Sequence, residues 1–94
     1  MAESTTLHVI VTGLVQGVMF RDFTRRNASD LGLTGWVRNL PGAQGVEINA
    51  EGDRTQLEAL LELVKKGPPR ASVEKAVVKW NEYTAKYHDF RIIY

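Results

Sequence analysis

The stretch Leu7-His-Val-Ile-Val-Thr-Gly-Leu-Val-Gln-Gly-Val-Met-Phe-Arg-Asp-Phe23 changes its period partway along. Leu7 to Thr12 is short, rich in β-branched residues and closed by Gly13, which reads as a strand. From Phe20 the apolar positions fall at helical spacing. Phe20, Phe23, Ala28 and Leu31 share one stripe, while Arg25, Arg26 and Asp30 lie off it. Gly32 stops that helix at its C′ position. The chain therefore opens with a strand that feeds a helix through a loop between two glycines.

The next sixty residues complete the unit. Thr34-Gly-Trp-Val-Arg-Asn-Leu40 is strand-like, Pro41-Gly-Ala-Gln-Gly45 punctuates it as a hairpin loop, and Val46-Glu-Ile-Asn-Ala-Glu51 alternates as a returning strand. Asp53 caps a second helix, with Gln56 at the capping-box position and Leu57, Leu60, Leu61 and Val64 as its buried stripe. Lys65 and Lys66 oppose the negative end of the helix dipole, and Gly67-Pro68-Pro69 ends the element. Ser72 to Trp80 reads as a strand with Ala76, Val78 and Trp80 on one face, and His88 to Tyr94 as a last one. The order is β-α-β-β-α-β with an extra C-terminal strand. It predicts an α+β, ferredoxin-like α/β sandwich, a mainly antiparallel sheet with two helices on one face. Residues 1–5 are expected as a frayed tail and residues 6–94 as a single domain.

Ninety-four residues suffice for one core. A hydrophobic fraction of 44% and a charged fraction of 24% are ordinary globular values, which argues against disorder. Net charge is only +1, and the basic residues are scattered among acids, so no nucleic-acid footprint stands out. No apolar run has the length of a membrane span. Cysteine is absent, which removes disulfides, thiolate nucleophiles and thiolate metal sites. These features fit a reducing compartment, and with no large apolar surplus a monomer is expected.

Because this fold order serves many activities, function has to be read from the loop. A glycine-flexed turn entering a helix leaves backbone N–H groups without partners, and these form a concave positive site suited to phosphate. Gly13 and Gly17 permit the backbone angles of such a nest. Arg21 falls in the first helical turn, where the dipole end is already positive and a cation is mildly unfavourable. A bound dianion between the two reverses that, and the planar guanidinium fork matches phosphate oxygens. The plain alternative is an ordinary strand-to-helix turn followed by a solvated arginine.

Two longer patterns bear on that choice. Gly13-Leu-Val-Gln-Gly-Val-Met-Phe-Arg21 resembles the first signature of the acylphosphatase family, G-x-V-Q-G-V-x-[FY]-R. Gly35-Trp-Val-Arg-Asn39 resembles its second, G-[FYW]-x-x-N. The resemblance runs from about Leu7 to Tyr94. It implies hydrolysis of a carboxyl–phosphate bond by a small cytosolic enzyme without a metal. It further implies a phosphate-binding loop of Val15, Gln16, Gly17, Val18, Met19 and Phe20, with Arg21 binding phosphate and acting in catalysis and Asn39 as the second catalytic residue. Met19 fills a variable slot, and the loop from Leu40 to Gly45 is one residue longer than the family pattern. The partner implied is a small-molecule acyl phosphate, with inorganic phosphate or sulfate as a site ligand. A non-catalytic ferredoxin-like module that binds a small anion is the alternative.

The chemistry asks little of the protein. Phosphoryl transfer runs through a loose transition state, so catalysis is mostly positioning and charge stabilisation. The leaving carboxylate has a conjugate-acid pKa of about 4 and departs without a general acid. Asn39 can place a water by hydrogen bonding but cannot deprotonate it, which points to the substrate's own phosphate oxygen as proton acceptor. Val15, six positions before Arg21, stands where a C-x5-R phosphatase loop carries its cysteine nucleophile, so water attacks directly. His8 and His88 lack carboxylates at metal-ligand spacing, and Trp36 and Trp80 read as packing. Arg25 and Arg26 are candidates for steering an anion.

Overall fold

The structure is a computed structural model, and it describes residues 3–42 and 44–94. Its elements are β1 (Ser4–Leu14), α1 (Phe20–Asp30), β2 (Thr34–Asn39), β3 (Gly45–Asp53), α2 (Arg54–Lys66), β4 (Ser72–Asn81) and β5 (Phe90–Ile92). The strands form one sheet in the order β4-β1-β3-β2-β5. Each pairing is antiparallel except β2 with β5, which is parallel. This is the ferredoxin-like arrangement: each βαβ crossover leaves a gap that the other crossover's strand fills, with β5 added beyond β2.

Strand alternation makes the core. Leu7, Val9 and Val11 of β1, Val37 of β2, and Val46, Ile48 and Ala50 of β3 are fully buried under Ala28 of α1 and Leu57, Leu60 and Val64 of α2. Ala76, Val78 and Trp80 of β4 pack against this core from the sheet edge. In α1 the buried stripe is Phe20, Thr24 and Ala28. Thr24 fits there because its hydroxyl donates to the Phe20 carbonyl at 2.9 Å, one turn back. α1 packs on β2 and β5, and α2 on β1, β3 and β4.

The start of α2 is held as expected in one part only. Asp53 Oδ1 accepts from the Thr55 N–H at 2.9 Å, but no reciprocal bond from Gln56 is present among the described residues. The expected tail needs correction. Ser4 and Thr5 belong to β1, opposite Asp53 and Gly52 of β3. Backbone and hydroxyl donors fix them: Arg54 N–H donates to the Glu3 carbonyl at 2.8 Å, and Thr5 Oγ1 donates to the Asn81 carbonyl at 2.8 Å. Residues 1 and 2 lie outside the described residues, as does Ala43 in the β2–β3 hairpin. The last strand is shorter than the apolar pattern predicts, spanning Phe90–Ile92 only.

A buried carboxylate organises the approach to β5. Glu51 is only 1% exposed, yet no cation faces it among the described residues. Its Oε2 accepts from Thr84 Oγ1 (2.6 Å), Thr6 Oγ1 (2.7 Å) and Thr84 N–H (3.1 Å), and its Oε1 from Ala85 N–H (3.1 Å). Burial pushes this carboxyl up, and the hydrogen bonds from Thr84, Thr6 and Ala85 outweigh it, leaving the group below its ordinary value. Ala85 adopts a left-handed φ of 58° as the chain turns here toward β5.

Candidate active site

At the end of β1, Gly13 has a φ of 126°, and the β1–β4 register shifts between Thr12 and Gly13. A Cβ there would lie 2.3 Å from the Ser72 carbonyl oxygen. Gly13 is therefore needed for the close approach of β4 at a bulge, not for a place in an anion nest. Its own N–H donates to the Gln44 carbonyl. The Val15 N–H donates back to the Gly13 carbonyl at 3.0 Å, so that amide is already engaged.

Past Val15 the loop changes character. Gly17 has φ 74°, and Met19, the N-cap of α1, has φ 64°; both are left-handed. Nothing lies within 4 Å of where a Gly17 Cβ would stand, so glycine is required there by backbone angle alone. A methionine in this conformation is uncommon and carries local strain. It provides no side-chain cap. The first turn of α1 therefore starts with the Phe20, Arg21 and Asp22 N–H groups lacking intrahelical acceptors, and the first helical bond runs from Phe23 N–H to the Met19 carbonyl at 3.0 Å.

A cleft of about 310 Å³ opens at this point. Gly17, Met19, Phe20 and Arg21 line one side, Asn39 stands at the end of β2, and Ile92 and Tyr94 come from the last strand and the residues after it. Val15 forms part of the floor, 1% exposed. Arg21 has no carboxylate partner among the described residues; its guanidinium carbon sits 5.2 Å from the centre of the Tyr94 ring. Asn39 Oδ1 is buried without a hydrogen-bond partner. Such an orphaned acceptor costs stability, and the residue that carries it lines the cleft.

The expected site residues thus divide. Val15, Gly17, Met19, Phe20, Arg21 and Asn39 meet at one cleft. Gln16 and Val18 are not among its lining residues. The Gln16 carboxamide instead donates to the Leu40 carbonyl at 3.2 Å and the Gly45 carbonyl at 2.9 Å, tying the loop to the hairpin beyond Asn39. Val18 packs against the core. Arg25 and Arg26 both pair with Asp22, at 3.2 and 3.0 Å. Ile92 and Tyr94 were not singled out by the sequence, since nothing in it shows that the last strand docks in parallel beside β2.

His8 lies away from this site. Its Nε2 is 2.7 Å from Glu47 Oε2, and Arg38 Nε donates to Glu47 Oε1 at 2.7 Å. Burial raises the Glu47 carboxyl, and the His8 and Arg38 contacts more than reverse it, so it too lies below the ordinary range. No cluster of His, Asp and Glu suited to a metal ion occurs among the described residues.

The architecture is a split βαβ sandwich whose strand-to-helix loop and second strand end meet at a cleft, and comparison with known proteins identifies the family. The acylphosphatase family model matches residues 7–92. An acylphosphatase of Dehalococcoides mccartyi (strain CBDB1) is 51% identical over 86 residues, 92% of this chain and 94% of the relative. The crystal structure of acylphosphatase from Bacillus subtilis superposes with a TM-score of 0.90 at 38% identity, covering 96% of this chain and 99% of that one. An acylphosphatase from Coxiella burnetii gives 0.89 at 41%, covering 96% and 93%. The chain belongs to the acylphosphatase family. It is an enzyme of that class, which hydrolyses acyl phosphates, and the alternative of a non-catalytic anion-binding module is set aside.

Proposed function

We propose that hydrolysis proceeds by direct in-line attack of water on a phosphoryl group held at the start of α1. The loop amides from Gly17 onward and the Arg21 guanidinium bind its oxygens, and Asn39 places the water. The observation that carries this reading is the pairing of an uncapped helix start with an arginine that has no carboxylate partner among the described residues, both at the cleft that contains Asn39. Left-handed angles at Gly17 and Met19 are of the kind that an anion nest uses, which supports this reading.

The step balances without protein acid or base. The water oxygen bonds to phosphorus, the bond from phosphorus to the acyl oxygen breaks, and the carboxylate leaves with the electron pair. The water proton passes to a phosphate oxygen. Arg21 and the N–H groups stabilise charge on the equatorial oxygens. Both ends of the Asn39 carboxamide are without hydrogen bonds among the described residues, so a turn about χ2 presents either its oxygen or its NH2 to the water.

Hydrolysis of benzoyl phosphate in heavy-oxygen water tests the reading. Label in phosphate is the expected result. Label in benzoate would move the attack to carbon and refute these roles.

A further inference from the structure

We infer that the segment from Glu82 through β5 opens as a unit apart from the rest of the fold, and that the Glu51 carboxylate is its latch. The segment runs from β4 at one edge of the sheet to β5 at the other, and between Glu82 and Ile92 the one buried residue is Phe90. β5 has three residues and pairs with β2 alone. Gly35 N–H donates to the Asp89 carbonyl and Ile93 N–H to the Val37 carbonyl, each at 2.9 Å. Tyr87 Oη accepts from Trp36 Nε1 and Asn49 Nδ2 at a longer 3.3 Å. A segment with so few buried apolar groups stands at the low end of local stability.

Glu51 supplies what packing does not. Alternation along β3 turns Val46, Ile48 and Ala50 to the helices, and Glu47, Asn49 and Glu51 to the opposite face of the sheet. Glu51 is buried there because the crossover covers it: three of its four hydrogen bonds come from the Thr84 hydroxyl, Thr84 N–H and Ala85 N–H. Opening returns the carboxylate to water. On that face Glu47 is engaged by His8 and Arg38, and Asp53 caps α2. Lys79 of β4, and Glu82 and Lys86 of the segment, make neither a side-chain hydrogen bond nor an ion pair with Glu51. Because the closed carboxyl lies below its ordinary value, acid favours the open form.

The consequence reaches the active site. β5 pairs with β2, which ends at Asn39, and α1, whose first turn holds Arg21, packs on both strands. Each opening therefore removes a support from both side chains, although Glu51 does not line the cleft. This link alone rests on the roles proposed above for Arg21 and Asn39.

Amide hydrogen exchange followed by NMR tests the latch independently of those roles. In the native chain the Gly35, Thr84, Ala85 and Ile93 amides should share one opening, at least about tenfold more frequent than that of the β1–β3 ladder. Glu51→Gln should raise this opening about tenfold or more at pH 6 and abolish its increase between pH 6 and pH 3. Gly35 and Ile93 decide the matter, since neither amide touches Glu51; a carboxylate that only capped the Thr84–Ala85 turn would leave them unmoved. Thr84 is exposed, so Thr84→Val keeps the fold; it should raise the same opening, and Thr84→Ser should not. Gly35 and Ile93 exchanging in step with the ladder in the native chain, or unmoved by both Glu51→Gln and Thr84→Val, overturns the inference. On warming, acetyl phosphate turnover by Glu51→Gln should fail together with this segment, before circular dichroism shows the helices melting. Turnover that lasts until they melt overturns the link to the site. Label entering benzoate, the outcome that refutes the roles of Arg21 and Asn39, leaves the latch standing.

Discussion

Replacing Glu51 by glutamine keeps its shape and changes only what it can accept. In the native geometry Oε2 receives Thr84 Oγ1, Thr84 N–H and Thr6 Oγ1, while Oε1 receives Ala85 N–H alone. The least costly orientation of the new amide puts its NH2 where Oε1 was, so that one N–H group meets another and only the Ala85 bond is lost. Thr6 Oγ1 has a second acceptor in the Glu82 carbonyl at 2.8 Å, so its single proton can be redirected. Two donors, the Ala85 N–H and the new NH2, then lack an acceptor; Ala85 is exposed and its N–H can turn to solvent, so the buried NH2 carries most of the cost, about 1–3 kcal/mol, and the surviving bonds lose their charge assistance. Glu51→Gln should therefore lose roughly 2–3 kcal/mol at neutral pH, a fall in Tm of roughly 10–20 °C for a domain of this size.

The pH dependence separates this account from a simple packing defect. The folded Glu51 carboxyl lies below its ordinary value of about 4.5, so its contribution is fully present above that pH and is lost as pH falls through the folded value. Urea denaturation of both proteins between pH 7 and pH 3 should show the gap narrowing as the native glutamate protonates. A glutamine variant equal in stability to the native chain at pH 7 would refute the reasoning. So would a gap that stays constant into acid.

Arg21→Ala should lower kcat/KM for acetyl phosphate by at least 10²–10³, on the order seen when one preorganised donor is removed, and Arg21→Lys should restore little because an ammonium lacks the fork. Asn39→Ala should reduce kcat while inhibition by inorganic phosphate stays nearly unchanged; a parallel loss of phosphate binding would make Asn39 a recognition group. Gly13→Ala places a Cβ 2.3 Å from the Ser72 oxygen in a left-handed backbone, which should cost at least about 2 kcal/mol in urea denaturation. Gln16→Ala unties the loop from the hairpin carbonyls, so KM and kcat should change together while circular dichroism keeps the native spectrum.

The fold was legible because its signals are local. The β-branched run at Leu7–Thr12, the helical stripe ending in Val64 and the alternation from Val46 each specify an element without knowledge of its neighbours. Boundaries failed where distant partners decide them. Ser4 and Thr5 have little pattern of their own and are strand because β3 and the Asn81 carbonyl receive them. Arg21 and Asn39 were visible through the signatures that contain them. The roles of Gly13, Val15 and Gln16 were not, since a bulge against β4, an engaged amide and a side chain reaching the hairpin are tertiary facts. Tyr94 was invisible for the same reason: a terminal aromatic gives no sign of the cleft it borders.

The two helices share the sheet unequally, α2 over β1, β3 and β4, and α1 mainly over β2 and β5 with a smaller contact to β3. Every cleft residue comes from the loop and first turn of α1, from β2, or from β5 and the two residues beyond it. None comes from α2. The molecule is thus partitioned into a keel and a working deck, and substitutions on the outward side of α2 offer a route to a tougher protein with unaltered chemistry.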